Sequence, residues 1–122
     1  MPPISAKRVI DLEIIDMGLE GNISPLLSNL SLLAKLSLQE LTRLELAVDY
    51  FTGQIPVELG ALSRLEILNL HLNFLERTIP ATLSNCTAMR AISLIENRLS
   101  GEIPSESIKL AEAVLANEQH FW

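Results

Sequence analysis

Two rhythms of hydrophobic residues run through this chain. The short one is an alternation, Leu44-Glu45-Leu46, Leu68-Asn69-Leu70 and Ile92-Ser93-Leu94, in which apolar residues flank a polar one. The long one is the spacing of those triplets, which follow one another at intervals of 24 residues. Each triplet leads to an Ile-Pro pair eleven residues after its first member: Ile55-Pro56, Ile79-Pro80 and Ile103-Pro104. Alternation predicts a short strand with its apolar side chains turned one way. A fixed period of this length predicts coils that cannot bury their apolar faces alone and therefore stack. The expected architecture is a repeat solenoid of the α/β type. Its short parallel strands form a concave sheet, and its convex side is irregular, 3-10 or extended.

Each coil position has its own physical reason. One copy runs Leu41, Leu44, Leu46, Asp49, Phe51, Gly53, Ile55-Pro56, Leu59, Leu62. The next runs Leu65, Leu68, Leu70, Asn73, Leu75, Arg77, Ile79-Pro80, Leu83, Cys86. A third begins at Met89 and carries Ile92, Leu94, Asn97, Leu99, Gly101, Ile103-Pro104. An earlier one begins at Val9 and carries Leu12, Ile14, Met17, Leu19, Gly21, Ile23, Leu27 and Leu30. The Asn position stands where the chain leaves the strand, and an amide there can satisfy backbone groups opened by the turn. Ile-Pro fixes an extended segment, because proline restricts itself and the residue before it.

The period breaks twice. Leu12 and Leu44 are 32 residues apart, one repeat plus eight. The surplus, Leu33-Ala-Lys-Leu36-Ser-Leu38-Gln-Glu40, itself has a strand signature and reads as an irregular truncated repeat over 33–40 that has lost its return path. Beyond Pro104, Ser105 can cap a helix through Asn117, with Ile108, Ala111, Val114 and Leu115 on one face. That helix either covers the last coil or frays. The organisation expected is an extension over 1–8, repeats over 9–104, and a helix or tail over 105–122.

Composition narrows the function classes. Hydrophobic residues make up 48% of the chain and aromatic residues 4%, so the core is built from Leu and Ile, as suits a solenoid. A formal charge of −6 argues against nucleic acid, which requires clustered Lys and Arg. No apolar run reaches the length of a membrane span, and Met1-Pro-Pro-Ile-Ser-Ala-Lys-Arg8 lacks the apolar stretch of a secretory signal, so the chain as it stands is expected in the cytoplasm. The single cysteine cannot form an internal disulfide.

Two strings carry a resemblance: Gly53-Gln-Ile-Pro-Val-Glu-Leu-Gly-Ala-Leu-Ser-Arg-Leu-Glu-Ile-Leu-Asn-Leu70, and Leu83 through Asn97-Arg-Leu-Ser-Gly-Glu-Ile-Pro104. Both resemble the plant-specific leucine-rich repeat, whose Gly-x-Ile-Pro signature is specific to that class. Arg8-Val-Ile-Asp-Leu12 through Gly18-Leu-Glu-Gly-Asn-Ile-Ser-Pro25-Leu-Leu-Ser-Asn-Leu30 is similar to the first repeat of cereal leucine-rich-repeat receptor-like kinases. The resemblance implies part of an extracellular ectodomain that binds peptides or proteins, often in defence or development.

Candidate sites follow from the strand alternation. The outward, partner-binding row is Asp11, Glu13, Lys35, Ser37, Gln39, Arg43, Glu45, Asn69, His71 and Ser93. Its mixture of charge and amide suits a polypeptide. Three sequons, at Asn22, Asn29 and Asn85, are glycosylation candidates in a secreted relative, although Asn-x-Ser/Thr also belongs to the repeat consensus. Cys86 occupies an inward position and reads as a small buried hydrophobe. Asp11, Glu13 and Asp16 form an acidic patch with no base or nucleophile nearby, and an open sheet offers no pocket to perturb a carboxylate. Neither catalysis, nor a cofactor, nor a metal site is expected.

The leading expectation is a non-catalytic module for a protein or peptide ligand, in defence or stress signalling, with self-association through exposed terminal coils. The alternatives are an ice-binding repeat protein, which wants a regular Thr or Asn array that the outward row lacks, and a polygalacturonase-inhibitor-like defence protein.

Overall fold

The computed structural model describes residues 10–34 and 40–101, which wind as successive coils sharing one core. Four strands, β1 (Ile10–Glu13), β3 (Leu41–Glu45), β5 (Ile67–Asn69) and β7 (Ala91–Ser93), lie parallel in the order β1-β3-β5-β7. Leu44, Leu46, Leu68 and Leu70 are wholly buried beneath this sheet, as the alternation requires. The core continues through Phe51, Ile55, Leu59, Leu62, Leu65, Leu75 and Leu83. Leu12, Ile14 and Leu19 of the first coil pack against it while remaining partly exposed.

The return path contains a second parallel sheet that the alternation did not announce. Its strands are β2 (Glu20–Gly21), β4 (Tyr50–Gly53), β6 (Phe74–Arg77) and β8 (Arg98–Leu99), in the order β2-β4-β6-β8. Single-turn 3-10 helices follow at Val57–Ala61 and Ala81–Asn85, each entered from an extended proline, Pro56 or Pro80.

The Asn position bonds each coil to its neighbour. The Asn73 side-chain amide donates to the carbonyls of Leu46 (2.9 Å) and Leu70 (3.1 Å), while its oxygen accepts the Phe51 N–H at 3.1 Å. Asn97 repeats the pattern one coil later, donating to Leu70 and Leu94 and accepting from Leu75. Immediately before these positions the backbone turns left-handed at Asp16, Val48, Leu72 and Glu96, with φ between 56° and 62°. A β-branched or bulky residue rarely tolerates such a φ, and at Leu72 and Glu96 the side-chain amides of Asn73 and Asn97 hold the turn.

The expected strand over 33–40 needs correction. β1 is hydrogen-bonded directly to β3, with Leu12 against Leu44 and Glu13 against Glu45, so no strand stands between them. Leu33 and Ala34 end a twelve-residue helix, α1 (Ile23–Ala34). The first coil thus carries three turns of α-helix where the next two have a short 3-10 helix. Pro25 is tolerated because the N–H groups of a first helical turn have no intrahelical acceptor. The extension at 1–8, Lys35, Ser37, Gln39 and the helix or tail expected over 105–122 lie outside the described residues.

Candidate functional site: the concave face and the lateral edge

Strand register assembles the expected binding row. Asp11, Arg43, Ile67 and Ala91 are successive neighbours across the concave sheet, and Glu13, Glu45, Asn69 and Ser93 form the parallel row two residues on. Asp11 and Glu13 are exposed; Arg43, Glu45, Asn69, His71 and Ser93 are half-buried, as side chains standing on a curved sheet should be. The Asn69 side-chain oxygen accepts the His71 N–H at 3.2 Å, which orients that amide at the end of its strand. Glu13 and Glu45 stand side by side with like charge, and among the described residues neither has a salt-bridge partner. One ion pair is seen nearby, Arg90 to Glu66 at 3.6 Å, with the arginine well exposed and the pair correspondingly weak. β1 and β3 are adjacent, so no strand stands in the row between them; Lys35, Ser37 and Gln39, expected there, lie outside the described residues.

Of the sequon residues, Asn22 and Asn85 are exposed, and Asn29 lies within α1, its side chain outside the described residues. Cys86 is buried, as its inward position predicts, and its thiol lies 3.2 Å from the Leu59 carbonyl as donor. Burial pushes the thiol pKa up to about 11, which keeps it protonated and unreactive at neutral pH. Among the described residues no group of three or more His, Cys, Asp or Glu side chains is placed to hold a metal ion. No helix among them is long and apolar enough to cross a membrane.

A second surface escaped the strand reading. On the lateral edge, where the coils turn into the second sheet, Tyr50 and Phe74 stack with ring centroids 6.0 Å apart and planes 12° apart. The Arg98 guanidinium covers Phe74 at 5.0 Å from its centroid. These residues line a shallow cleft of about 390 Å³ together with Asp16, Leu72 and Glu96. Ile15, Met17, Tyr50, Leu72 and Ile95 are large apolar side chains left exposed on the same four turns. The sequence does carry a signal for this stack. The residue after each Asn position is Tyr50, Phe74 and Arg98 in turn, a 24-residue period hidden because the attention of the pattern falls on leucines.

No protein-family model matches the chain. Over 82 residues, 66% of its length, it is 39% identical to receptor-like protein EIX1 of Solanum lycopersicum, and over 52% of its length 41% identical to phytosulfokine receptor 1 of Arabidopsis thaliana. It spans only 7% and 6% of those two proteins. Its fold superposes on the structure of PEPR1-AtPEP1 with a TM-score of 0.66 and 38% identity, covering 77% of this chain and 12% of that one. The Arabidopsis receptor kinase HAESA, solved with the peptide hormone IDA and the co-receptor SERK1, matches with a TM-score of 0.58 and 37% identity, over 70% of this chain and 13% of HAESA. A plant ice-binding protein, at a TM-score of 0.56 over 77% of this chain and 36% of its own, is only 24% identical and shares the fold alone. Repeat pattern, double parallel sheet, Asn ladder and these likenesses converge: the chain is a plant-specific leucine-rich repeat protein, built like a segment of the ectodomain of a plant receptor-like protein or receptor kinase.

Proposed function

We propose that this chain is a non-catalytic binding module for a peptide or protein, serving defence or stress signalling, and that the ligand lies across the concave sheet. The observation that carries the reading is the register of the four parallel strands. It sets Asp11, Glu13, Arg43, Glu45, Asn69 and Ser93 as a continuous array, with His71 just past the end of its strand, and Glu13 and Glu45 lack any cationic partner among the described residues. Hydrogen-bonding groups presented at strand spacing suit an extended polypeptide crossing the coils. Basic residues in that polypeptide would relieve the repulsion between the two carboxylates. The likeness to HAESA, which was solved with a peptide hormone and a co-receptor, supports the ligand class. Asn22 and Asn85 are exposed, as glycan attachment in a secreted setting requires.

Selection of a random peptide library on the immobilised chain tests the reading. Selected peptides should carry Lys or Arg and lose at least tenfold in affinity on a variant combining Glu45→Arg with Asn69→Arg. Peptides that bind wild type and this variant equally would sink the concave-face assignment.

A further inference from the structure

The aromatic stack on the lateral edge is capped at one end and open at the other. Position by position, the stack runs Gly18, Tyr50, Phe74, Arg98 along successive coils. Phe74 is covered on one side by Tyr50 and on the other by the Arg98 guanidinium. Tyr50 has Phe74 on one side only, and the matching position in the preceding coil is a glycine. Among the described residues a Cβ built on Gly18 meets nothing within 4 Å, which leaves the space beyond Tyr50 clear of them, and Tyr50 itself is 55% exposed.

Two carboxylates flank that opening. Glu20 is the neighbour of Tyr50 across the β2–β4 pair, and both side chains are exposed. Asp16, also exposed, lines the same cleft as Tyr50 and sits two residues before Gly18. Met17, next to Gly18 in the chain, is an exposed apolar side chain on the same turn. An aromatic face with carboxylates at its rim attracts a planar, delocalised cation on two counts: the ring quadrupole and direct charge pairing. The fold already demonstrates the first of these in Arg98 over Phe74.

We infer that this opening is a docking slot for an arginine side chain presented by a polypeptide partner. The guanidinium stacks on the free face of Tyr50, as Arg98 does on Phe74, and donates hydrogen bonds to Asp16 and Glu20. The slot accepts Arg rather than Lys because a compact ammonium cannot stack flat on the ring while forking to two carboxylates. It is separate from the concave face, and neither assignment depends on the other.

The chain has one tyrosine, so the ring resonances of Tyr50 report on this slot alone. The probes are three blocked tripeptides, acetyl-Gly-Xaa-Gly-amide with arginine, lysine or citrulline as Xaa, titrated while the Tyr50 ring and Gly18 amide signals are followed by NMR. The arginine peptide should saturate both signals with a dissociation constant on the order of 1–10 mM. Citrulline, planar but neutral, and lysine, charged but not planar, should each bind at least fivefold more weakly. Glu20→Gln should weaken the arginine peptide several-fold, Tyr50→Ala should abolish the Gly18 response, and Glu45→Arg on the concave face should leave both unchanged. Absence of saturation, equal response to lysine and arginine, or an arginine response indifferent to Glu20→Gln would each overturn the assignment.

Discussion

Asp49 stands in the ladder position that Asn73 and Asn97 occupy in the next two coils, and the exchange of an amide for a carboxylate leaves a gap. One oxygen accepts the N–H groups of Met17 and Leu19, both at 3.1 Å, doing the work of the asparagine oxygen. The other, Oδ2, is buried without a hydrogen-bond partner among the described residues, where asparagine would point an NH2 group at strand carbonyls. A buried acceptor left unmade costs about 1–3 kcal/mol. Asp49→Asn is therefore expected to stabilise the chain by about 1–2 kcal/mol, seen as a higher urea midpoint at unchanged slope. A fall in the midpoint would mean that the carboxylate has a partner the coil geometry does not reveal. Cys86 supports a second expectation. Its thiol pKa is raised from 9.0 to about 11 by burial, so the folded chain keeps a proton that the unfolded chain loses in alkali. The unfolded state binds fewer protons in that window, and stability falls as pH rises from about 9 to 11. Wild type and Cys86→Ala, compared by denaturant unfolding across that range, should differ in slope, with the alanine variant flatter. The ladder was legible from Asn73 and Asn97 alone. That Asp49 holds only half of it was not, because spacing identifies a position without saying which hydrogen bonds a substitute can make.

At the scale of the element, pattern and length gave different information. The concave strands were readable because Leu44, Leu46, Leu68 and Leu70 alternate with polar residues and are all wholly buried. Leu33 and Ala34, read as the start of a strand signature over 33–40, end a helix instead, because the leucine spacing there fits a strand and a helix equally well at short range. Length is the arbiter there: the surplus residues give the first coil room for the twelve residues of α1, whereas the later coils hold five-residue 3-10 turns. The second sheet was missed for a different reason. Its strands β2 and β8 have only two residues each, and their pairing lies between coils rather than in any local alternation. Close packing of the 3-10 turns makes the sharpest demand on sequence. A Cβ on Gly60 would fall against the Thr82 carbonyl oxygen and lie 2.7 Å from the Thr82 Cβ, while Thr82 Oγ1 bonds the Val57 carbonyl at 2.8 Å. Gly60→Ala must push these turns apart, and a loss of about 1–3 kcal/mol is expected by thermal or urea unfolding. A neutral result would show that the convex side yields more easily than the sheet.

A stack of coils touches itself only through nearest neighbours, so its stability is distributed along the axis rather than concentrated in one core. Three equivalent amides measure that distribution. Ile14 donates to Glu45, Leu46 to Asn69 and Leu70 to Ser93, each at 2.8–2.9 Å, so hydrogen-bond length does not distinguish them. What differs is the support behind each. Leu46 and Leu70 are wholly buried, whereas Leu12, Ile14 and Leu19 are partly exposed, and the seam they close carries Glu13 directly beside Glu45. β1 should therefore open on its own, and its amides should exchange with solvent faster than those of β3 and β5. Tenfold, about 1.4 kcal/mol, is the scale expected between Ile14 and Leu70. Glu13→Lys replaces repulsion across the seam with attraction and should slow exchange at Ile14 about two- to fivefold, leaving Leu70 unchanged. Uniform protection at all three amides would mean that the described coils open as a single unit. In that case the first coil would be held by contacts stronger than its burial implies, and charge at the seam would have no local effect to report.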